Sequence, residues 1–416
     1  MRIGINVIPL RPNEMGGAEI YFRDLLAELC RRGEHEIVLV TADDNHESLD
    51  DFRTCRRVLF AHGSLAGLRR RARRLPRPLR TAVEAGVRLA ARGLAPSRRR
   101  RSEARSESLR DLIKREQLDL WFCPFTQLEP RRCPVPTVIT VYDLQHEHFR
   151  EFFDRRELEH RQSFYADSCR AADRVVAISA FTRREIIEAY GVPEERVTSI
   201  PLAVGANFEW QNARAQCADV RRRYALPARY VFYPANSWHH KNHVRLITAM
   251  AEYRRHYRDP LTLVLTGRGM EGDCALRAAI EREGLGNLVR VLGYVARADL
   301  PSLYAGAICL VFPSLFEGFG LPLVEAMQLG CPIAAANAAS IPEVVGDAAV
   351  LFDPLDARDM ARALAAIARD PDTASDLARR GRIRAARFSI ARMAEDTAQV
   401  FARLHRDASV GQRGVR

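Results

Sequence analysis

Lysine is almost missing from this chain of 416 residues: of 64 basic residues only Lys114 and Lys241 are lysines. Positive charge is otherwise written as arginine, so a lysine marks a place where a compact, strongly hydrated ammonium is of use. Long apolar runs are missing too. None approaches the roughly 20 residues that a membrane helix needs. The nine cysteines are scattered and odd in number, and no two are spaced as Cys-x-x-Cys. That argues against a zinc ribbon or a disulfide framework and for free thiols in a reducing cytoplasm. The opening stretch MRIGINVIPLRPNE breaks at Pro9 and Arg11 and lacks a small-residue cleavage site, so it reads as a first β-strand, not a leader.

Charge balance is missing only in one place. Residues 69–110 hold fifteen arginines against three glutamates, an excess equal to the +12 of the whole chain. The remainder is neutral. No aromatic residue interleaves these arginines, so base stacking has no platform and nucleic acid is not the expected partner. A solvated insertion is one reading. The reading preferred here is attraction to an anionic membrane surface, where each basic residue contributes on the order of 1 kcal/mol.

Short β-branched runs alternate with amphipathic helical patterns through both halves. RIGINVI, EIVLV, DLWFC, TVITV, RVVAIS and VTSIPL read as strands in the first half; YVFYPA, LTLVLTG, LVRVLG, AICLVFPS and PIAAAN do so in the second. Strands separated by helix-length segments mean βαβ units and parallel sheets, and two tandem sets mean two doubly wound α/β domains. The expected boundary falls where periodicity lapses, in PLAVGANFEWQNARAQ. This gives a first domain over 1–203 with 69–110 as an insertion, a second over 204–388, and a final helix and tail over 389–416. The final helix is expected to cross back to the first domain.

Ligands of such sheets bind outside the carboxyl ends of the strands. After the first strand, Gly16 and Gly17 lead into a helix whose first N–H groups have no internal partner, a ready place for an anion. That turn lacks the dinucleotide spacing Gly-x-Gly-x-x-Gly. After TVITV come Tyr142, Asp143, His146 and His148, where a reacting group has room. His146 and His148 are two apart, and with no third ligand suggested nearby a metal is not expected. After YVFYPA, Lys241 stands at the expected start of a helix, where its charge opposes the helix dipole unless an anion is held there.

The strand AICLVFPS delivers the densest motif, FEGFGLPLVE. Gly318 and Gly320 let a ligand approach the backbone, and Pro322 falls in a helix's first turn, where it costs no hydrogen bond. The helix N-terminus then points its free N–H groups at a cleft where a diphosphate would fit. Glu325 is placed to accept from vicinal hydroxyls on one side of it and Glu317 from hydroxyls on the other. Glutamates eight apart occur by chance; the strand, paired glycines and apolar helix around them carry the signal.

The stretch from Pro313 to Pro354, together with HKNH, GGAEIY, TVYDLQHEHF and AISAFTRREI, resembles the family 4 (group 1) retaining glycosyltransferases, in their bacterial mannosyltransferase-like branch. The likeness spans roughly 1–405, leaving out the arginine tract. It implies the GT-B fold, two Rossmann-like domains about a cleft. It implies Lys241, with the amides of Gly318, Phe319, Gly320 and Leu321, on the donor diphosphate, Glu325 on the ribose and Glu317 on the transferred sugar. Tyr294 and Val295, with Gly267, would complete the donor site, and Gly16 and Gly17 would line the cleft. No cofactor is implied beyond the donor, a GDP- or UDP-sugar, and no metal; the acceptor would be a lipid-linked or polysaccharide-precursor glycan. Many relatives have His-Asp where this chain has Tyr142-Asp143, which leaves His146 as a candidate substitute. A sugar-nucleotide epimerase and a silent sugar-binding protein share these features and stay open as alternatives.

Overall fold

A computed structural model describes residues 1–60, 98–205 and 210–413. Two all-parallel sheets organise it. The first holds seven strands in the order β3-β2-β1-β4-β5-β6-β7: β1 Arg2–Asn6, β2 Glu36–Thr41, β3 Arg56–Leu59, β4 Leu120–Cys123, β5 Thr137–Val141, β6 Arg174–Ala177 and β7 Val197–Ser199. The second holds six in the order β10-β9-β8-β11-β12-β13: β8 Tyr230–Pro234, β9 Thr262–Thr266, β10 Val289–Val291, β11 Cys309–Phe312, β12 Ile333–Ala336 and β13 Val350–Phe352. In both, the chain starts mid-sheet, winds outward one way, then returns to the other side. That creates a switch point between β1 and β4 and another between β8 and β11.

Sheets covered by helices on both faces need strands apolar on both faces, and the sequence supplies them. Val38, Leu39 and Val40 are fully buried in β2, as are Leu263, Val264 and Leu265 in β9. Each such side chain contributes about 1.5–3 kcal/mol when withdrawn from water. One buried cluster runs through both units and includes Ile5, Phe122, Phe232, Phe312 and, from the last helix, Phe401. A second packs Trp121 with Leu109, Leu112 and Ile113 on the outer face of the first sheet.

Four features differ from the sequence reading. Edge strands β3 and β13 were not expected; each is only three or four residues long, and β3 opens with two arginines. The interval read as a boundary contains a helix, Trp210–Arg223, which packs on the second unit through the Ser302 hydroxyl donating to the Ala213 carbonyl at 2.9 Å. Helices Leu300–Gly306 and Ile341–Val345 were also missed, both too short to show a period. The arginine tract is not wholly an insertion. Residues 69–97 lie outside the described residues, but from Arg98 onward the chain is the helix Arg98–Arg115, seated on the sheet by Leu109.

The last helix, Ile390–Arg413, lies against the first unit: Arg32 pairs with Glu395, Arg174 with Asp407 at 2.9 Å, and the Phe401 ring meets Phe122 with centroids 5.2 Å apart. Among the described residues no helix is long and apolar enough to cross a membrane.

Candidate active site

The carboxyl ends of both sheets face each other, and the second unit supplies most of the polar groups. Between β8 and helix His243–Tyr257 the chain makes a single tight turn, His239–Lys241, followed by Asn242 in the left-handed region at φ 62°. Lys241 therefore stands just ahead of the helix, not in its first turn as expected from sequence. The Asn242 side chain ties three strand ends together, donating to the Pro313 carbonyl at 3.1 Å and the Pro354 carbonyl at 2.8 Å. The Leu315 N–H donates to the His240 carbonyl at 2.8 Å, and the Tyr233 hydroxyl donates to the Lys241 carbonyl at 3.0 Å. The lysine backbone is thus fixed from two sides. Asn242→Ala leaves two buried carbonyls unpaired and forces alanine into a left-handed conformation; we expect a loss of about 3 kcal/mol, read by urea denaturation.

The loop after β11 closes on this turn. The Lys241 ammonium lies 2.6 Å from Glu317 Oε1, and both side chains are largely buried, 15% and 13% exposed. A buried pair of this kind holds charge in place more than it adds stability. The Ser340 hydroxyl, fully buried, reaches the carbonyls of Glu317 at 2.8 Å and Phe319 at 3.2 Å and so sets the loop's path. Gly320, at φ 99°, turns the chain into helix Leu321–Gln328; Pro322 has no N–H and the Leu323 N–H is taken by the Gly320 carbonyl at 3.0 Å, which leaves the Leu321 N–H at the head of the helix for an anion. Further along that helix Glu325 is held by the Tyr304 hydroxyl, which donates to Oε2 at 2.6 Å.

The carboxyls differ in charge habit. Burial pushes Glu317 up, but the Lys241 ammonium, His240 and hydrogen bonds from Lys241 and Ser314 outweigh it and hold the group below its ordinary 4.5. Burial raises Asp143 and Glu325. A depressed carboxyl contributes stability above its unfolded value that is lost as pH falls through the folded one. Denaturation measured below pH 4.5 should therefore show a decline that Glu317→Gln flattens. Asp143 has the opposite sign: its ionised form costs stability above the raised value.

The first unit brings Asp143 and the glycines. A Cβ placed on Gly318 would collide with the Tyr142 carbonyl oxygen and stand 3.1 Å from the Asp143 Cβ, so the two backbones touch across the cleft. Thr182 Oγ1 donates to the Gly318 carbonyl at 3.3 Å. Gly17 faces Leu321, 3.3 Å from where its Cβ would be, so two helix N-termini point into one crevice, with Gly16 at φ 54° making the turn. Glu343 completes the closure, accepting from the Ala180 and Phe181 N–H groups at 2.7 and 2.9 Å from the opposite unit.

Two expectations fail. His146 is fully buried, bonded at 3.1 Å to the Tyr190 hydroxyl and edge-on to Tyr165, so it faces the core and not the cleft. Burial and nearby Arg161 lower it to about 4, leaving it neutral and unable to replace the histidine missing at position 142. The Tyr142 side chain turns inward too, donating to the Pro124 carbonyl at 2.7 Å; only its backbone faces the cleft. His148, by contrast, points outward to Glu185 and tilts against Phe316, centroids 5.1 Å apart.

At the far end of the crevice Gly267 follows β9, where a Cβ would collide with the Ala235 carbonyl. Val295 is buried, whereas Tyr294 is exposed with the Arg268 guanidinium 5.4 Å over its ring. Asn242, Ser340 and Glu343 were not found by sequence reasoning, since each acts through partners remote in the chain.

Both units match known families. Residues 221–384 match the family described as glycosyl transferases group 1, and residues 15–207 match glycosyltransferase family 4. O-antigen chain mannosyltransferase B of Escherichia coli is 34% identical over 221 residues, covering 53% of this chain and 58% of that relative; the chain thus spans little over half of that curated relative's length. Among solved structures, a sucrose-phosphate synthase from Thermosynechococcus elongatus superposes with a TM-score of 0.71 at 20% identity, covering 97% of this chain and 99% of the other. The Anabaena protein HepE in complex with UDP-glucose does so at 0.69 and 20%, covering 97% and 99%. With the two family matches in tandem and the GT-B fold in common with these structures, the chain belongs to the group 1 glycosyl transferases of family 4.

Proposed function

We propose that the chain is a retaining hexosyltransferase, moving mannose from a nucleoside diphosphate sugar onto a lipid-linked or polysaccharide-precursor glycan. The observation that carries this reading is the buried Lys241 ammonium beside Glu317, at the mouth of a glycine-bounded helix N-terminus and closed over by Asp143's strand end. Cleaving a sugar–phosphate bond requires stabilisation of the departing diphosphate, and fixed N–H dipoles with an ammonium supply it in a drier cleft. In this reading the anomeric carbon–oxygen bond breaks, the acceptor oxygen attacks from the same face, and its proton passes to the departing phosphate. Glu317 then exchanges Lys241 for the hydroxyls of the sugar. The positive charge comes from the chain itself, so turnover should persist in EDTA. Mannose and a glycan acceptor are supported by the name of the Escherichia coli relative, and a diphosphate donor by the HepE complex.

The test has two arms. A thermal-shift series with GDP, UDP, ADP and dTDP identifies the base, since a ligand at a hundred times its Kd adds about 2.7 kcal/mol. Labelled GDP-mannose with a lipid-linked acceptor then reads transfer, while donor alone reads isomerisation; an epimerase would change the sugar without acceptor, and absence of both reactions would contradict the proposal. The reading includes a cytoplasmic location and peripheral docking of 69–110 on anionic lipid, of which 69–97 lie outside the described residues.

A further inference from the structure

The first unit carries a pair of thiols that sugar transfer does not use. Cys30, in the last turn of helix Gly17–Arg32, and Cys55, just before β3, bring their sulfurs 2.7 Å apart. No other two of the nine cysteines, all of them described, place their sulfurs in hydrogen-bonding contact. Cys30 is partly exposed. Cys55 is 7% exposed, yet it lines a cavity of about 470 Å³ with His46, Asp50, Arg53 and Arg57. Two partners in contact, one of them reachable and the other opening on an arginine-rimmed cavity, are what thiol–disulfide exchange needs.

We propose that Cys30 and Cys55 form a site of reversible covalent modification, at which a small-molecule disulfide of the glutathione class cross-links the helix to the sheet's edge. The Cys30 thiolate attacks one sulfur of the reagent, forming a mixed disulfide and expelling one thiolate. The Cys55 thiolate then attacks Cys30 Sγ, forming the protein disulfide and expelling the second. Two cysteine thiols give up two electrons to the reagent, and their two protons end on the two released thiols. Cys30 is the first nucleophile because the Cys55 S–H hydrogen bond lowers it, while Cys55 itself is raised, first through that same contact and then through burial. The cavity beside Cys55 is lined by Arg53, Arg57 and Asp50; Arg57 pairs with Asp50, so Arg53 supplies the charge that favours an anionic reagent such as glutathione. The new bond closes the loop from Cys30 to Cys55, restricting the unfolded chain, so the cross-linked form should melt several degrees higher.

The experiment uses the full, reduced protein treated with oxidised glutathione, then alkylated and mapped by mass spectrometry without reductant. The expected result is a loss of two hydrogens, a single linked peptide pair joining Cys30 to Cys55, and alkylation of the other seven cysteines. Dithiothreitol should reverse both the link and the rise in Tm. Cys55→Ser should stop at a glutathione adduct on Cys30, and Cys30→Ser should show no link. Alkylation of all nine thiols after oxidant, or a link mapping to another pair, overturns the proposal; both are read on the wild-type chain and do not depend on the variants folding.

Discussion

Replacing Lys241 by alanine should lower kcat by about a thousandfold, roughly 4 kcal/mol of lost transition-state stabilisation. The residue is one of two lysines in a chain that otherwise uses arginine, and it is anchored from both sides, by Tyr233 and by the hydrogen bond that fixes its neighbour His240. The charge its ammonium neutralises is the Glu317 carboxylate, 2.6 Å away. Removing the lysine alone strands that carboxylate in a largely buried site, so some stability will be lost along with activity. The double variant Lys241→Ala/Glu317→Gln separates the two effects. It should regain the melting temperature and remain inactive. Near-normal turnover in Lys241→Ala would remove the diphosphate role.

The second large effect is expected at Gly318→Ala. A methyl group there collides with the Tyr142 carbonyl oxygen and crowds Asp143, and both of these belong to the other unit. Each unit can fold with the extra carbon in place; what it prevents is their approach. Turnover should fall at least a hundredfold, whereas nucleoside diphosphate affinity, which depends on the second unit, should change only a few-fold. Small-angle scattering should show a larger radius of gyration than wild type in the presence of the nucleotide. A variant that closes and turns over normally would mean that the contact seen across the cleft is not part of the working state. Steric exclusion of this kind is all-or-none, because packed backbones have little room to yield.

The reasons why parts of this molecule could be read in advance, and others not, are physical. Interior strands of a parallel sheet must be apolar on both faces, so β1, β2, β5 and β9 announce themselves as continuous hydrophobic runs. The edge strands β3 and β13 carry no such demand, and three or four residues give no pattern. Lys241, Glu317 and Gly318 were legible because each is unusual for its place: a lone lysine, an acid beside a glycine turn, a glycine where a strand ends. His146 misled because position in a loop does not fix direction. Asp143 Oδ1 accepts from the Gln145 N–H at 3.0 Å and starts a single helical turn, Gln145–His148, which sends His146 inward and His148 out. Glu343 was invisible because the amides it caps are 163 and 162 residues away in sequence. Ser340 is a buried hydroxyl bonded to two carbonyls of a loop some twenty residues earlier, a role that no local pattern records.

The two helix N-termini that meet in the cleft also explain why closure and charge belong together. Helix Gly17–Arg32 begins opposite helix Leu321–Gln328, with Gly17 against Leu321. Both present the partial positive charge of a helix start to the same space, an arrangement that repels itself and favours an anion. Glu317 offsets part of that field, and the Glu343 carboxylate caps a third helix, Ala180–Tyr190, across the interface.

The most direct measurement is a crystal structure of the protein with GDP or UDP bound. The account predicts the two phosphates against the amides of Gly318 to Leu321, the Lys241 ammonium swung from Glu317 onto them, and the ribose on Glu325. Nucleotide bound elsewhere, with the Lys241–Glu317 pair undisturbed, would contradict it.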